Sequence, residues 1–365
     1  MLLPVHLHPA LIGEHLPWDV FTESGVLVAG AGMLVADETQ FRRLIARPLY
    51  RDTQADEPRV PPPGINPLER LETLAKEADA LLAPPFSAMM AHQLRELAQA
   101  LLKVLHSDPE ACLGYPRLVM LARPSVHHSL HVLFVAVLLS RRLDFSEDTQ
   151  LSLAAAALTM NLSVLEVQDR LHHFPHLTDA SDHKTITEHP LRTVDLLTEV
   201  GVEDTAWLQA VAQHHENTDA SGFPAGLNIA AISPMARVLR VADVYCSRIS
   251  GRHYRPPHSM RTAMKEIFAR ERPHLDPQIS AQLLRSMGLY PPGTLVRLAN
   301  GESACITRRG RGNVARYATS FLDGRGRLMA PRERSLERQA YVLRGFLAQE
   351  PSWPAVNWKS LWGYS

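Results

Sequence analysis

Cysteine is nearly absent: the 365 residues include three, Cys112, Cys246 and Cys305. They are far apart, odd in number and without a Cys-x-x-Cys spacing, so they read as reduced, buried thiols and not as a disulfide framework. A charge excess is also missing, with 38 Lys+Arg against 38 Asp+Glu and a formal net charge of zero. A balanced chain has no broad polyelectrolyte footprint, which excludes nonspecific nucleic-acid binding as its main role. Local basic clusters can still hold a small phosphorylated ligand. No apolar run is longer than Val132–Leu139, too short to span a bilayer. The first residues, Met1 to Pro9, have neither the basic start nor the long apolar core of a signal peptide. The expectation is a cytoplasmic protein without a membrane span. No internal repeat at a fixed period is evident.

Hydrophobic residues make up 45% of the chain and charged residues 21%, a globular composition. The length suffices for two or three domains. Residues 1–52 read as a small β-rich module, with short β-prone segments punctuated by glycine and one helix over Asp37–Arg47. Such a module is structural or dimerising, and a homodimer is one assembly the chain admits. Residues 53–67, with Pro61-Pro62-Pro63-Gly64, form a Pro-rich linker. Residues 68–119 are a helical lead-in, apolar at helical spacing over Leu68–Leu82 and Met89–Leu105.

Residues 120–290 read as a helical domain. Its helices are predicted over Ser125–Arg142, Leu151–Leu165, Glu188–Val200, Asp204–His215, Ala231–Ser250, Ser259–Arg270 and Asp276–Met287. Residues 291–345 turn to strands, with one hairpin around Asn300-Gly301 and another around Asp323-Gly324. Residues 346–365 form a Trp-rich tail expected to pack back on the body, docking of a partner being the other reading. The predicted fold class is mainly α, a helical bundle with small β-rich modules at the N- and C-terminal ends.

Histidine is plentiful: ten of the eighteen lie between His127 and His215. A lone histidine on an apolar helix is more often a packed residue than a ligand. Here His128, His189 and the adjacent His214-His215 precede a carboxylate, Asp243, at the end of the apolar run Met235–Asp243. The turn Gly222-Phe223-Pro224 lies between them. Imidazoles and a carboxylate converging from several helices are what a divalent ion requires for phosphate chemistry.

The run His214-His215-Glu216, Asp219, Gly222-Phe223-Pro224-Ala225-Gly226-Leu227, then Val241-Ala242-Asp243 and Arg252-His253-Tyr254-Arg255, resembles the HD-GYP family. These are bacterial helical phosphohydrolases that open cyclic di-GMP, a branch of the HD superfamily. The resemblance covers roughly residues 120–290, with Phe223 in place of the usual Tyr. It implies an HD-type helical bundle, with His128, His189, His214, His215 and Asp243 as metal ligands. It also implies a ligand-binding set of Gly222, Phe223, Pro224, Arg252, Tyr254 and Arg255, the arginines serving substrate phosphates. The Glu expected one turn before the first histidine is Pro124 here. The Gly-Phe-Pro loop can stack on guanine or face another signalling protein; its plainer alternative is a tight turn with Phe223 packed inward.

The family's defining His-Asp pair is missing. In place of a Leu-His-Asp-Ile-Gly-Lys run the chain has Leu158-Thr159-Met160-Asn161-Leu162-Ser163. Thr159 stands for the His, Met160 for the bridging Asp and Ser163 for the Lys. A thioether neither neutralises nor spaces two cations, so a two-ion centre is not expected. One divalent transition metal (zinc, manganese or iron) on His189, His214 and His215 is the reduced alternative. His172, His173, His176 and His183, in a segment read as a polar, mobile loop, are candidate substitute ligands. The competing reading has the histidines bonded to Asp243, Glu216 or backbone carbonyls.

The favoured function is a degenerate HD-GYP-like binding or regulatory module in bacterial cyclic di-GMP signalling, without efficient phosphodiesterase activity. Its ligand would be cyclic di-GMP or a related nucleotide. The alternatives are a metal-dependent phosphohydrolase with a reduced metal site, His128 or Asp243 assisting, and a protein-interaction scaffold.

Overall fold

The computed structural model describes residues 2–14, 16, 20–23, 27–29, 33–52, 66–174, 178–249, 271, 273–310, 314–350 and 352–364. In the N-terminal module, β1 (Leu2–Val5), β2 (Val20–Phe21) and β3 (Leu27–Ala29) precede α1 (Glu38–Ile45) and β4 (Leu49–Asp52). The sheet is antiparallel in the order β1-β4-β2-β3, so the two ends of the module pair with each other. Asp37 starts α1 by accepting the Gln40 amide at 2.7 Å, and Phe41 and Leu44 turn inward onto Leu16, Val20 and Val35.

The helical body comprises α2 (Pro67–Leu81), α3 (Met90–Ser107), α4 (Pro109–Gly114), α5 (Pro124–Arg142), α6 (Glu147–Thr159), α7 (Leu165–His173), α8 (Ala180–Glu199), α9 (Thr205–Gln213), α10 (Pro234–Ile249) and α11 (Pro277–Met287). Its centre is α5, apolar on every face and therefore surrounded, with Val132 to Val137 fully buried. Against it lies α6, whose Ala154 to Ala157 are buried and small enough to let the two helices approach closely. By length and composition alone the stretch Glu147–His173 could cross a membrane, but 72% of its most apolar window is buried inside the protein. All three cysteines are free and buried.

Several helices differ from the sequence expectation, among them α6, which runs Glu147–Thr159 and not Leu151–Leu165, and the short α4, which was not expected. Helix α8 begins at Ala180 rather than Glu188, because Asp179 and Asp182 form a reciprocal capping box that starts it early. Residues 165–173 form a helix of their own. The histidine-rich segment is thus not one loop: His172 and His173 end α7 and His183 lies in the first turn of α8, while His176 is outside the described residues. The predicted helix over Ser259–Arg270 also lies outside them.

The C-terminal part has five antiparallel strands, β5 (Leu295–Leu298), β6 (Ser303–Arg309), β7 (Ala315–Leu322), β8 (Leu328–Ser335) and β9 (Leu343–Phe346), in the order β8-β7-β6-β5-β9. The β5–β6 turn uses Gly301 at φ +87°, a conformation that favours glycine. The sheet docks on α4 through ion pairs Arg308–Asp108 and Arg309–Glu110, both 2.5 Å. The tail packs back on it: Trp353 and Trp358 meet Phe321 edge-on at 5.4 and 5.3 Å, and Trp362 donates to the Thr307 carbonyl at 3.2 Å. Gly114 permits this docking, since a Cβ there would lie 2.4 Å from the Trp362 ring.

Candidate metal centre and ligand cavity

His189 sits inside α8, directly before Pro190. Proline has no N–H, so the Ile186 carbonyl loses the helical donor it would otherwise receive from residue 190. The His189 ring takes that place, its Nδ1 lying 2.6 Å from the Ile186 carbonyl oxygen. His214 caps the end of α9, where the last carbonyls have no helical partner. Its Nδ1 lies 2.6 Å from the Val211 carbonyl oxygen. In both cases a helix irregularity supplies the acceptor that orients an imidazole.

A carbonyl oxygen can only accept, so each Nδ1 carries the proton and each Nε2 presents a bare lone pair. Those two Nε2 atoms face each other at 3.1 Å, and both rings are buried. Two acceptors this close repel unless a cation sits between them. A third proton would serve, but burial disfavours it: burial, and then the neighbouring His189, pushes His214 down to about 3. His189 is lowered by burial as well. A metal ion between them would relieve the repulsion, and two nitrogens bound tetrahedrally at ~2.05 Å lie about 3.3 Å apart. A backbone carbonyl on the far nitrogen is also the usual support of a metal-bound histidine. His215 completes the group; the ligand atoms of His189, His214 and His215 all lie within 4.8 Å of one another, so the cluster can hold one divalent ion.

His128 and Asp243 come together beside this cluster, on α5 and α10. His128 Nε2 lies 2.8 Å from Asp243 Oδ1, and Arg240 stands 4.0 Å from the other carboxylate oxygen. Burial alone would raise the Asp243 carboxyl, but the His128 hydrogen bond and the charges of His128, His215 and Arg240 hold it well below the carboxylate range. An ionised carboxylate accepts, so His128 donates through Nε2.

The loop after the histidines is held from inside. Glu216 is buried and its two oxygens accept the Ala225 and Leu227 amides at 2.7 and 2.8 Å, making it a strut for the turn. Gly222 packs against that strut: a Cβ there would lie 2.3 Å from the Asn217 nitrogen and 2.5 Å from the Glu216 Cα. Phe223 stacks on His215 with centroids 4.6 Å apart and planes 24° apart. One face of the half-buried Phe223 ring thereby walls the cluster. Arg252, Tyr254 and Arg255 lie outside the described residues.

His128, His189, His215 and Asp243 open onto a cavity of about 780 Å³. The turn that replaces the family's His-Asp run presents Asn161 and Val164 to it, not the residues singled out in the sequence. Thr159 faces away, donating to the Ala155 carbonyl at 2.7 Å and accepting from Trp207 Nε1 at 2.8 Å. Met160 is fully buried. Ser163 donates to the His189 carbonyl at 3.0 Å and meets the Thr193 hydroxyl at 2.9 Å, which ties the turn to the helix carrying His189. Asn161 is only 2% exposed and its Oδ1 has no hydrogen-bond partner. An orphaned buried carboxamide on the same cavity wall fits a neutral oxygen donor toward a cation or ligand. The far wall, invisible to local sequence patterns, comes from Arg117 and His131 together with Thr294 and Phe346 to Gln349 of the C-terminal part.

The profile of the family described as "HD domain" matches residues 84–279, more than half of the chain. Among curated proteins, the chain is 26% identical over 226 residues to the cyclic di-GMP phosphodiesterase PA4108 of Pseudomonas aeruginosa, covering 62% of this chain and 54% of that one. It is 27% identical over 164 residues to the 3'3'-cGAMP-specific phosphodiesterase 3 of Vibrio cholerae, covering 45% of this chain and 35% of that one. The chain thus spans about half the length of the first of these relatives and a third of the second. Among solved structures, Bd1817, an HDG"Y"P protein from Bdellovibrio bacteriovorus, superposes with a TM-score of 0.52 at 15% identity, covering 78% of this chain and 98% of that one, a likeness of fold. With a profile match over more than half of its length and a helical bundle that brings His189, His214 and His215 together, the chain belongs to the HD domain family.

Proposed function

We propose that the chain binds cyclic di-GMP, or a closely related cyclic dinucleotide, in this cavity, with one divalent transition-metal ion on His189, His214 and His215. It acts as a regulatory binder with little phosphodiesterase turnover. The observation that supports this is the charge inventory of the cavity. Asp243 is the single carboxylate among the described residues lining it, and its charge is already shared with His128 and Arg240. Two divalent ions side by side would bring four positive charges against it, and Asn161 contributes a neutral amide. The histidine geometry supports one ion, and the names of the relatives support a cyclic dinucleotide as ligand.

When bound, such an ion supplies Lewis acidity toward a phosphate oxygen. The chain's own residues orient what surrounds it: Phe223 and Val164 exclude water, and Asp243 fixes the His128 ring. That carboxylate-oriented imidazole favours slow phosphodiester hydrolysis as the second reading, since it has the partner a proton-transferring histidine requires. Calorimetric titration of the full chain with cyclic di-GMP and with cyclic GMP-AMP, followed by chromatography of the recovered nucleotide, tests the proposal. The expected result is saturable binding with the nucleotide recovered intact. Absence of binding by both nucleotides would sink it, and rapid linearisation would establish the hydrolase reading instead.

A further inference from the structure

Among the described residues, Arg117 is a cation inside the protein without a counter-charge. It ends a short 3₁₀ turn after α4 and lines the cavity. One nitrogen, Nη1, makes all of its hydrogen bonds, donating to the Pro292 carbonyl at 2.7 Å, the Pro291 carbonyl at 3.3 Å and the Thr294 hydroxyl at 3.0 Å. These anchors fix the guanidinium plane. Among the described residues no Asp or Glu pairs with it, and its Nε and Nη2 groups have no partner.

Among the described residues, no acidic group stands beside it to offset the charge. Burial pushes the Arg117 pKa down, and the groups that would oppose this if charged are Tyr245, Cys305 and Cys246. Burial raises the pKa of all three, so they are neutral and none can offset the charge. A charge taken out of water without a partner is strongly disfavoured unless another group completes it. Arg117 keeps partial exposure although it lies deep in the fold, the pattern of a side chain whose open surface is cavity and not bulk water. The same cavity is also lined by His189 and His215 of the histidine cluster and by Asp243.

We propose that Arg117 is a second anion-binding point of this cavity, receiving on its unused Nε/Nη2 edge a phosphate that the metal cluster does not hold. The proposal rests on the cyclic-dinucleotide reading for the identity of the ligand, and it adds why a ligand with two phosphates fits: one anionic group meets the cluster and the other meets the guanidinium. The fork geometry of arginine matches two phosphate oxygens, and Nη1, already bonded, holds it in place.

The test compares wild type, Arg117→Met and Arg117→Lys, each as the full chain, by calorimetric titration with cyclic di-GMP at several salt concentrations and separately with inorganic pyrophosphate. Arg117→Met is expected to weaken cyclic di-GMP binding by about 10- to 100-fold, the range for a charge-assisted pair. It also flattens the salt dependence, which loosening of the C-terminal docking alone would not do. Arg117→Lys is expected to recover part of both effects. Equal affinity and equal salt dependence in wild type and Arg117→Met would overturn the proposal while leaving the nucleotide reading intact. Arg117-dependent binding of pyrophosphate without binding of cyclic di-GMP would uphold the anion site and overturn the nucleotide reading. Failure of wild type to bind either probe would overturn both.

Discussion

Pro190→Ala separates folding stability from metal affinity, because the structure assigns them opposite signs. Proline at 190 withholds a backbone donor from the Ile186 carbonyl, and the His189 Nδ1–H fills that vacancy at 2.6 Å. Alanine would restore the N–H, close the helical bond and relieve the proline penalty, worth up to about 3 kcal/mol in a helix interior. The stabilisation is smaller to the extent that α8 has already adjusted to the kink and that alanine frees the unfolded chain. The restored amide would compete for the carbonyl that orients His189, so its Nε2 would no longer be held 3.1 Å from that of His214. Loss of an outer partner of a metal-bound histidine typically costs 10- to 100-fold in affinity, or about 1.4–2.7 kcal/mol. The assay is a chelator-competition titration with zinc or manganese, paired with thermal unfolding of the metal-free protein. The expected result is a metal-free variant that melts at or above wild type and binds metal at least tenfold more weakly. Unchanged metal affinity in a variant that folds would refute the idea that the His-Pro pair exists to aim the imidazole.

Other perturbations address separate parts of the account. Asn161→Asp adds a second carboxylate beside Asp243 and is expected to raise manganese content above one ion per chain, with faster opening of cyclic di-GMP; unchanged stoichiometry would show that Asn161 does not face the ion. Gly222→Ala would drive a Cβ to 2.3 Å from the Asn217 nitrogen and is expected to cost about 1–3 kcal/mol while loosening Phe223 from His215, read by thermal melts and metal titration. Asp108→Asn removes the charge facing Arg308 but keeps the cap on the Ala111 amide, and should cost about 3 kcal/mol in urea unfolding. Burial would raise the Asp108 pKa, but the Arg308 hydrogen bond and charge outweigh it and depress it. The contribution of this carboxylate is therefore present above its unfolded value of about 3.9 and lost as pH falls through the lower folded value. The gap between wild type and Asp108→Asn should stay level from pH 8 to 5 and close below about pH 4.

Much of the bundle could be read from the sequence because its signals are local. Asp37, Asp204 and Asp276 cap helices where polar residues precede apolar periodicity, and Asn300-Gly301 makes the hairpin it announces. His189, His214 and His215 were recognisable because the His189-Pro190 and His214-His215 pairs fall in the order the HD-GYP resemblance implies, and the structure brings the three side chains together. The turn after α6 was harder to place. Thr159, Met160 and Asn161 are consecutive and all buried, so burial pattern cannot say which one faces the cavity; the Trp207–Thr159 bond decides it, and Trp207 lies 48 residues away. The far wall was out of reach for the same reason, since Arg117 meets its anchors across 174 to 177 residues. The early start of α8 depended on the Asp179–Asp182 capping box, which the sequence reading did not pick out.

The central claim is that this cavity holds one metal ion and retains a cyclic dinucleotide without opening it. The most direct test is elemental analysis of freshly purified full-length chain, with manganese and iron(II) added to a cyclic di-GMP hydrolysis assay on the same preparation. The account predicts close to one transition-metal ion per chain, lost in a His214→Ala variant, and nucleotide that stays cyclic. Two ions per chain with sustained turnover would contradict it.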